Sequence, residues 1–309
     1  MEPFTYTFVK HAIKLRPYFA NKKELQEADV LIFHCPFDCA LLDSLDKPSI
    51  LYEHRAGRPN TFMFDIMLEE SCNPLIRYSL RKDRGGVLKL LKQLFQKPNV
   101  IIVNSKFIKN KMKEWFAIDC FVVNPPIDLK KFRPIKRKRK YFLSVQRMDW
   151  QKRIDVQLKA FEGIKEKLIL IGPGNEDLMK KITKDMSNVE YLEEVREKEL
   201  IELYNGAKAV IQTGYFEDFG LVPIEAMACG IPSIVVDEGG FKETIHSNWL
   251  GVRVHNPYEK SLRKTILNFK PENYDRKKIR EEAKKYGFGR FRKQLEYYIK
   301  LAVKRHENK

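Results

Sequence analysis

The feature that most limits what this chain can fold into is an alternation, run twice, of short apolar segments with helical ones. In the first run the apolar segments are DVLIFH (29–34), PSILYE (48–53), NVIIVN (99–104) and DCFVVN (119–124). Helices are expected near 21–28, 86–97 and 106–116. In the second run the segments are YFLSVQR (141–147), KLILIGPG (167–174), NVEYLEE (188–194), KAVIQTG (208–214) and PSIVVDEGG (232–240). Helical spacing appears in RIDVQLKAFEGI (153–164), KELIELYNGA (198–207) and PIEAMACG (223–230), and a long basic helix is expected over 275–304. Strands that are apolar on both faces belong to parallel sheets covered on both sides, and the intervening helices are the crossovers such sheets require. The expectation is an α/β protein with two doubly wound units. Between the runs, PPIDLKKFRPIKRKRK (125–140) is rich in proline and positive charge, and it reads as a linker in which no core forms.

Composition narrows the class of partner. Lysine and arginine number 58 against 41 acidic residues, a formal charge of +17, which favours polyanions: nucleic acid, anionic lipid or phosphorylated small molecules. Five cysteines stand singly, with no C-x-x-C pair, which fits a reduced cytoplasmic setting better than a disulfide framework. No continuous apolar stretch reaches the length of a membrane-spanning helix.

The chemistry is concentrated in YFEDFGLVPIEAMACGIP (215–232). Phe219, Gly220 and Leu221 form a turn into a helix whose first turn holds Pro223, tolerated there because the N–H it lacks needs no partner. The unpaired amides at such a helix start attract anions, phosphate oxygens among them. Yet Glu217 and Glu225 flank the same place, and carboxylates repel phosphate. They are better aimed at neutral hydroxyls on either side of it: Glu225 at a ribose, Glu217 at a sugar. Arg147, Lys152 and Arg153 follow the strand at 141–145 and reach over the carboxyl end of the sheet, where open α/β sheets bind ligands. Arg147 offers a planar fork and Lys152 a point charge to a departing diphosphate. Gly172 and Gly174 end another strand, so their backbone can approach a ligand closely. Gly239, Gly240 and Glu243 form a further loop at the same edge.

These residues resemble the retaining glycosyltransferases of the GT4-like family, glycosyltransferases group 1. The resemblance rests on Glu217 and Glu225 within EDFGLVPIEAMACGIPSIVVDEGG, and on RMDWQKRID (147–155), LILIGPG (168–174) and NVEYLEEVREKELIELYNGA (188–207). It extends more weakly through NVIIVNSKFIKNKM (99–112) and VVNPPIDLKKFRP (122–134). It implies the GT-B architecture, two Rossmann-like doubly wound domains facing a central cleft. The domains would be a shortened acceptor-side domain at 1–134 and a nucleotide-sugar-binding domain at 135–290, with a helix at 291–309 packing back on the first. The donor would be a UDP- or GDP-linked sugar, with no tightly bound cofactor and no metal. Arg147 and Lys152 would bind the diphosphate, Glu225 the ribose and Glu217 the transferred sugar. The backbone around Phe219, Gly220 and Leu221 would meet the phosphate and sugar, and Val195 and Arg196 would line the base pocket. His54, after a first-domain strand, is the family's sugar- and acceptor-side histidine by position, with His34 as runner-up and Arg58 and Asp65 as acceptor contacts. Two family glycines are replaced, by Pro126 in the hinge and by Gln146 before Arg147.

A hexosyl transfer to a hydroxyl acceptor, whether glycan, lipid or protein, is the activity implied. The competing readings are a sugar-nucleotide epimerase of the same architecture and a nucleic-acid binder using KRKRK (136–140). The second leaves unexplained why two acids bracket a phosphate-ready helix start, and no nucleic-acid partner is expected. In GVLKLLKQLFQK (86–97), Leu88, Leu91 and Phe95 share a face widened by Leu90 and Leu94, opposite lysines 89, 92 and 97, with Arg77, Arg81, Lys82 and Arg84 upstream. Such a helix suits either a sheet face or an anionic membrane surface. The expected location is cytoplasmic, with peripheral membrane contact through this helix as the alternative to its packing on a sheet.

Overall fold

The computed structural model describes residues 22–54 and 84–308. Arg58, Asp65, Cys72, Arg77, Arg81 and Lys82 lie outside them. The chain divides into two compact units: one runs to Asn124 and resumes at Arg292, the other is Pro125–Phe291.

The first unit holds a parallel sheet of β1 (Leu31–Phe33), β2 (Ser49–Glu53), β3 (Val100–Val103) and β4 (Phe121–Val122), in that order. β2 and β3 are buried at every position, as the apolar run of β3 requires, and β2 buries Ser49 and Glu53 at its ends as well. Helix Arg84–Phe95 buries Leu90, Leu91, Leu94 and Phe95, with the Phe95 ring 4.9 Å from Phe116. The leucine face thus packs in the unit's own core, and Lys89 and Lys92 are exposed. Helix Lys106–Phe116 starts at Ser105, whose hydroxyl accepts from the Ile108 amide, and stops at Ala117 in the left-handed region. Far along the sequence, Tyr298 packs on Phe121 at 4.8 Å and Arg305 donates to the Asn99 carbonyl at 3.1 Å.

The second unit holds a six-stranded parallel sheet in the order β10-β9-β8-β5-β6-β7. Its strands are β5 (Tyr141–Val145), β6 (Leu168–Ile171), β7 (Val189–Leu192), β8 (Ala207–Gln212), β9 (Ser233–Val236) and β10 (Gly251–Val254). The strand order reverses between β5 and β8. β10 is an edge strand with exposed Arg253, so its GVRV lacks the apolar run that marks the others.

Two expectations are corrected here. The segment after Asn124 is not a coreless linker: Ile127 and Phe132 are buried in the second unit's core. Arg280 donates to the carbonyls of Phe132, Leu129 and Ala228, each at 2.6 Å, and so straps that segment down. The division therefore falls at Asn124–Pro125, ahead of the expected 134. The expected helix at 275–304 is two, Arg276–Ala283 and Phe288–Glu307, parted at Gly287. There the Tyr286 carbonyl accepts from Ile127 N–H at 2.8 Å, outside any helical ladder, and the Leu129 side chain occupies the space a Cβ on Gly287 would need.

Candidate functional site

At the reversal of strand order, two neighbouring parallel strands send their following loops to opposite sides, and the gap between the loops is where such sheets hold ligands. β5 delivers Gln146–Arg153 and β8 delivers Thr213–Glu217 to that point. The loops are bolted together. Tyr215 N–H donates to Gln151 O at 2.7 Å, and Thr213 Oγ1 donates to Lys152 O at 2.7 Å while accepting from Gln157 Nε2 at 2.8 Å. Across them the Lys152 ammonium meets Glu217 Oε2 at 2.9 Å, both side chains about one-fifth exposed (24% and 21%). The structure thus brings together the lysine assigned to phosphate and the carboxylate assigned to sugar. Arg147 stands at the rim, 46% exposed, with Asp149 Oδ2 at 3.3 Å. The Asp149 side chain also accepts from Lys152 N–H and so caps the short turn Trp150–Lys152.

The third component is helix Leu221–Ala228, entered through Gly220 at φ 88°. A Cβ there would lie 2.9 Å from the Phe241 ring, so both conformation and space call for glycine. The Phe219 side chain is buried against Tyr286, at 5.8 Å between rings, so only its backbone is available to a ligand. Leu221 opens the helix and is exposed. Glu225, one turn on, is half-buried and accepts a short hydrogen bond from the Tyr204 hydroxyl. Burial pushes its carboxyl up to about 6, against the lowering pull of that bond and of Lys131. Burial and then the Glu225 charge hold the Tyr204 phenol well above its ordinary range.

The remaining loops at this edge come from β6, β7 and β9. Gly172 and Gly174 follow β6, but what they approach is protein: a Cβ would lie 2.1 Å from Gln146 O at Gly172 and 2.5 Å from the Met148 Cβ at Gly174. The glycines let this loop press on the one that carries Arg147. Val195 and Arg196 follow β7 at the far edge of the sheet, with Val195 half-buried and Arg196 exposed at the start of helix Glu197–Gly206. After β9, Gly239 and Gly240 press on the backbone of Glu217 and Phe219, and Gly240 N–H donates to Glu217 O at 2.7 Å.

One cluster escaped the sequence reading. Arg153 sits at φ 50°, ψ 49°, a region that L-residues other than glycine seldom occupy. Its guanidinium lies between the rings of Tyr215 (4.7 Å) and Tyr258 (5.0 Å) and pairs with both oxygens of Glu238 at 3.1 and 3.2 Å. The Tyr258 hydroxyl donates to the same carboxylate at 2.6 Å. Arg153 meets Glu238 85 positions on, with Tyr215 and Tyr258 from two further segments, so no local spacing could signal it.

In the first unit, His34 follows β1 and His54 follows β2 at the carboxyl end of adjacent strands. Their rings stack at 5.3 Å with His34 Nδ1 and His54 Nε2 3.0 Å apart, a distance at which one holds the proton and the other accepts it. Asn104 Nδ2 donates to the His54 carbonyl at 3.0 Å and the Tyr52 ring lies 4.6 Å from His54. The candidate and its runner-up are thus one pair. Among the described residues no three or more His, Cys, Asp or Glu side chains gather as for a metal ion, and no helix is long and apolar enough to cross a membrane.

Two Rossmann-like parallel α/β domains of this build define the GT-B fold. Solved structures similar to the chain include sucrose-phosphate synthase from Thermosynechococcus elongatus, at TM-score 0.73 and 17% identity over 96% of this chain and 78% of that one. HepE from Anabaena in complex with UDP and glucose matches at TM-score 0.70 and 13% identity, covering 90% of this chain and 79% of that one. The chain belongs to the family of glycosyl transferases group 1, whose profile matches residues 127–286. It is similar to the alpha-1,3/1,6-mannosyltransferase of Dictyostelium discoideum, 27% identical over 77% of this chain and 59% of that protein. It is also similar to that organism's GDP-Man:Man(3)GlcNAc(2)-PP-Dol alpha-1,2-mannosyltransferase, 23% identical over 66% of this chain and 47% of that protein. The chain spans less than two thirds of the length of these curated relatives.

Proposed function

We propose that the protein transfers a hexosyl group from a UDP- or GDP-linked sugar to a hydroxyl acceptor, with retention of the anomeric configuration. The observation that carries this is the Lys152–Glu217 pair at the reversal of strand order, beside the helix that bears Glu225. In this reading Arg147 and Lys152 bind the diphosphate and stabilise the charge that grows as the bond from the anomeric carbon to its phosphate oxygen breaks. Glu217 accepts from hydroxyls of the transferred sugar and Glu225 from the ribose. Val195 and Arg196 border the base, and the amides at Gly220 and Leu221 meet the diphosphate. The acceptor oxygen bonds to the anomeric carbon on the face the phosphate leaves, and its proton passes to the departing phosphate oxygen. The His34–His54 pair is assigned to acceptor and sugar hydroxyls in the first unit. The names of the relatives favour mannose as the first sugar to try and a glycan or lipid-linked glycan as acceptor. The test incubates the protein with GDP-mannose, UDP-glucose and UDP-N-acetylglucosamine and a panel of glycan and lipid-linked acceptors, and identifies products by mass spectrometry. Transfer from any donor supports the reading, and none from all of them refutes it. NMR of the first-formed product showing inversion would overturn retention.

A further inference from the structure

Tyr204 is wholly buried, yet it carries a hydroxyl that a phenylalanine of the same shape would do without. Its ring is gripped edge-to-face by Phe132, 5.8 Å between centroids at 81°, and it stands in the last turn of helix Glu197–Gly206. The hydroxyl donates to Glu225 Oε2 on another helix, 21 positions on. As a stability device this is a poor choice. It takes a phenol and a carboxylate out of water where two apolar side chains would pack without that cost. What the bond does achieve is direction. Oε2 is held by a wholly buried partner, which leaves Oε1 as the oxygen the half-buried carboxyl has for a ligand.

We propose that Tyr204 is a positioning residue for nucleotide recognition. By fixing Glu225 it presents one carboxylate oxygen to a ribose hydroxyl, and so makes the site demand a ribonucleotide over a deoxyribonucleotide. This rests on the assignment of Glu225 to ribose made above. A carboxylate left free to rotate would still accept a hydrogen bond, but it would lose entropy on doing so and could turn to water when the hydroxyl is missing. The rigid carboxylate cannot, so removal of the hydroxyl is felt in full.

The test is a cycle of binding measurements by calorimetry, with UDP and GDP and the 2′-deoxy and 3′-deoxy form of each, on the native chain and on Tyr204→Phe. The native chain is expected to prefer one ribonucleotide over one of its deoxy forms by on the order of tenfold or more, as for a hydrogen bond to a charged group. In Tyr204→Phe that ratio should fall to about threefold or less, the coupling expected of groups in one network. A residue that only filled the core would shift affinity for all the nucleotides alike and leave the ratio unchanged. Thermal melting confirms that the variant is folded. No ribose preference in the native chain would overturn the assignment of Glu225, and the proposal with it. A preference that persists undiminished in Tyr204→Phe would overturn the role of Tyr204 alone.

Discussion

Replacing Glu225 with glutamine should make the protein more stable at pH 8 and a weaker binder of its donor. The carboxyl sits at about 6 in the folded chain against an ordinary 4.5, because burial penalises its charge. That displacement corresponds to about 2 kcal/mol of destabilisation when the group is ionised in both states. The folded state holds the proton more tightly than the unfolded one. The group's contribution to stability is therefore fully present below about 4.5 and is lost as pH rises through about 6. Glutamine never ionises and can still accept from Tyr204, so it avoids the cost. For a unit of this size, about 2 kcal/mol should raise the melting temperature by about 4 to 8 °C at pH 8. The gain should shrink toward zero near pH 4.5. Other acids run the opposite way; Asp128, for one, is held low by the amides of Lys131 and Lys130 and is stabilising above its own range. The comparison of variant with native chain at each pH cancels them. Donor binding should move in the other direction, by about five- to tenfold, since a neutral acceptor replaces a charged one. A nucleotide sugar is the right ligand, because it has no terminal phosphate to titrate in the same window. Equal melting shifts at pH 8 and 4.5, or a less stable variant at pH 8, would refute the account of Glu225 as a buried charge kept for binding.

Arg147→Ala should lower kcat by roughly a hundredfold or more with the fold intact, the scale of losing one donor to developing charge; steady-state kinetics with unchanged kcat removes Arg147 from the site. Gly172→Ala should melt several degrees lower, since φ 139° is unfavourable and the added Cβ would lie 2.1 Å from Gln146 O, a backbone atom that cannot move alone; an unchanged melting temperature contradicts this. Arg153→Ala should cost about 2 kcal/mol by taking the guanidinium from the part-buried Glu238 and from between the two tyrosine rings, whereas the double variant Arg153→Ala, Glu238→Gln should recover part of it; denaturant titration decides.

Much of this was legible in the sequence because parallel sheets announce themselves in runs such as VIIV and LILI that are buried at every position. The same property hid β10, an edge strand with exposed Arg253, and the segment after Asn124 was misread because Ile127 and Phe132 are buried where Arg280, 148 to 151 residues on, straps the chain down. The candidate site was legible as far as its residues lie in the segments that follow strands: Arg147, Lys152, Glu217 and Gly220 all do. Tyr204 and the Arg153 cluster were not, because nothing in ELYNGA or QKRID tells which distant carboxylate the phenol or the guanidinium will meet. The leucine helix at 84–95 shows the converse. Its periodicity correctly gave an apolar face, but periodicity cannot say whether sheet or lipid covers it.

The return of the chain from Arg292 onward to the first unit has a consequence for synthesis. As the polypeptide leaves the ribosome, the first unit appears first but lacks the residues that place Tyr298 on Phe121 and Arg305 on the Asn99 carbonyl. The second unit, Pro125–Phe291, emerges whole in between. The unit that begins earliest is therefore the one completed last, and a ribosome that stops near residue 291 leaves behind a finished second unit and a first unit whose β4 still lacks its cover.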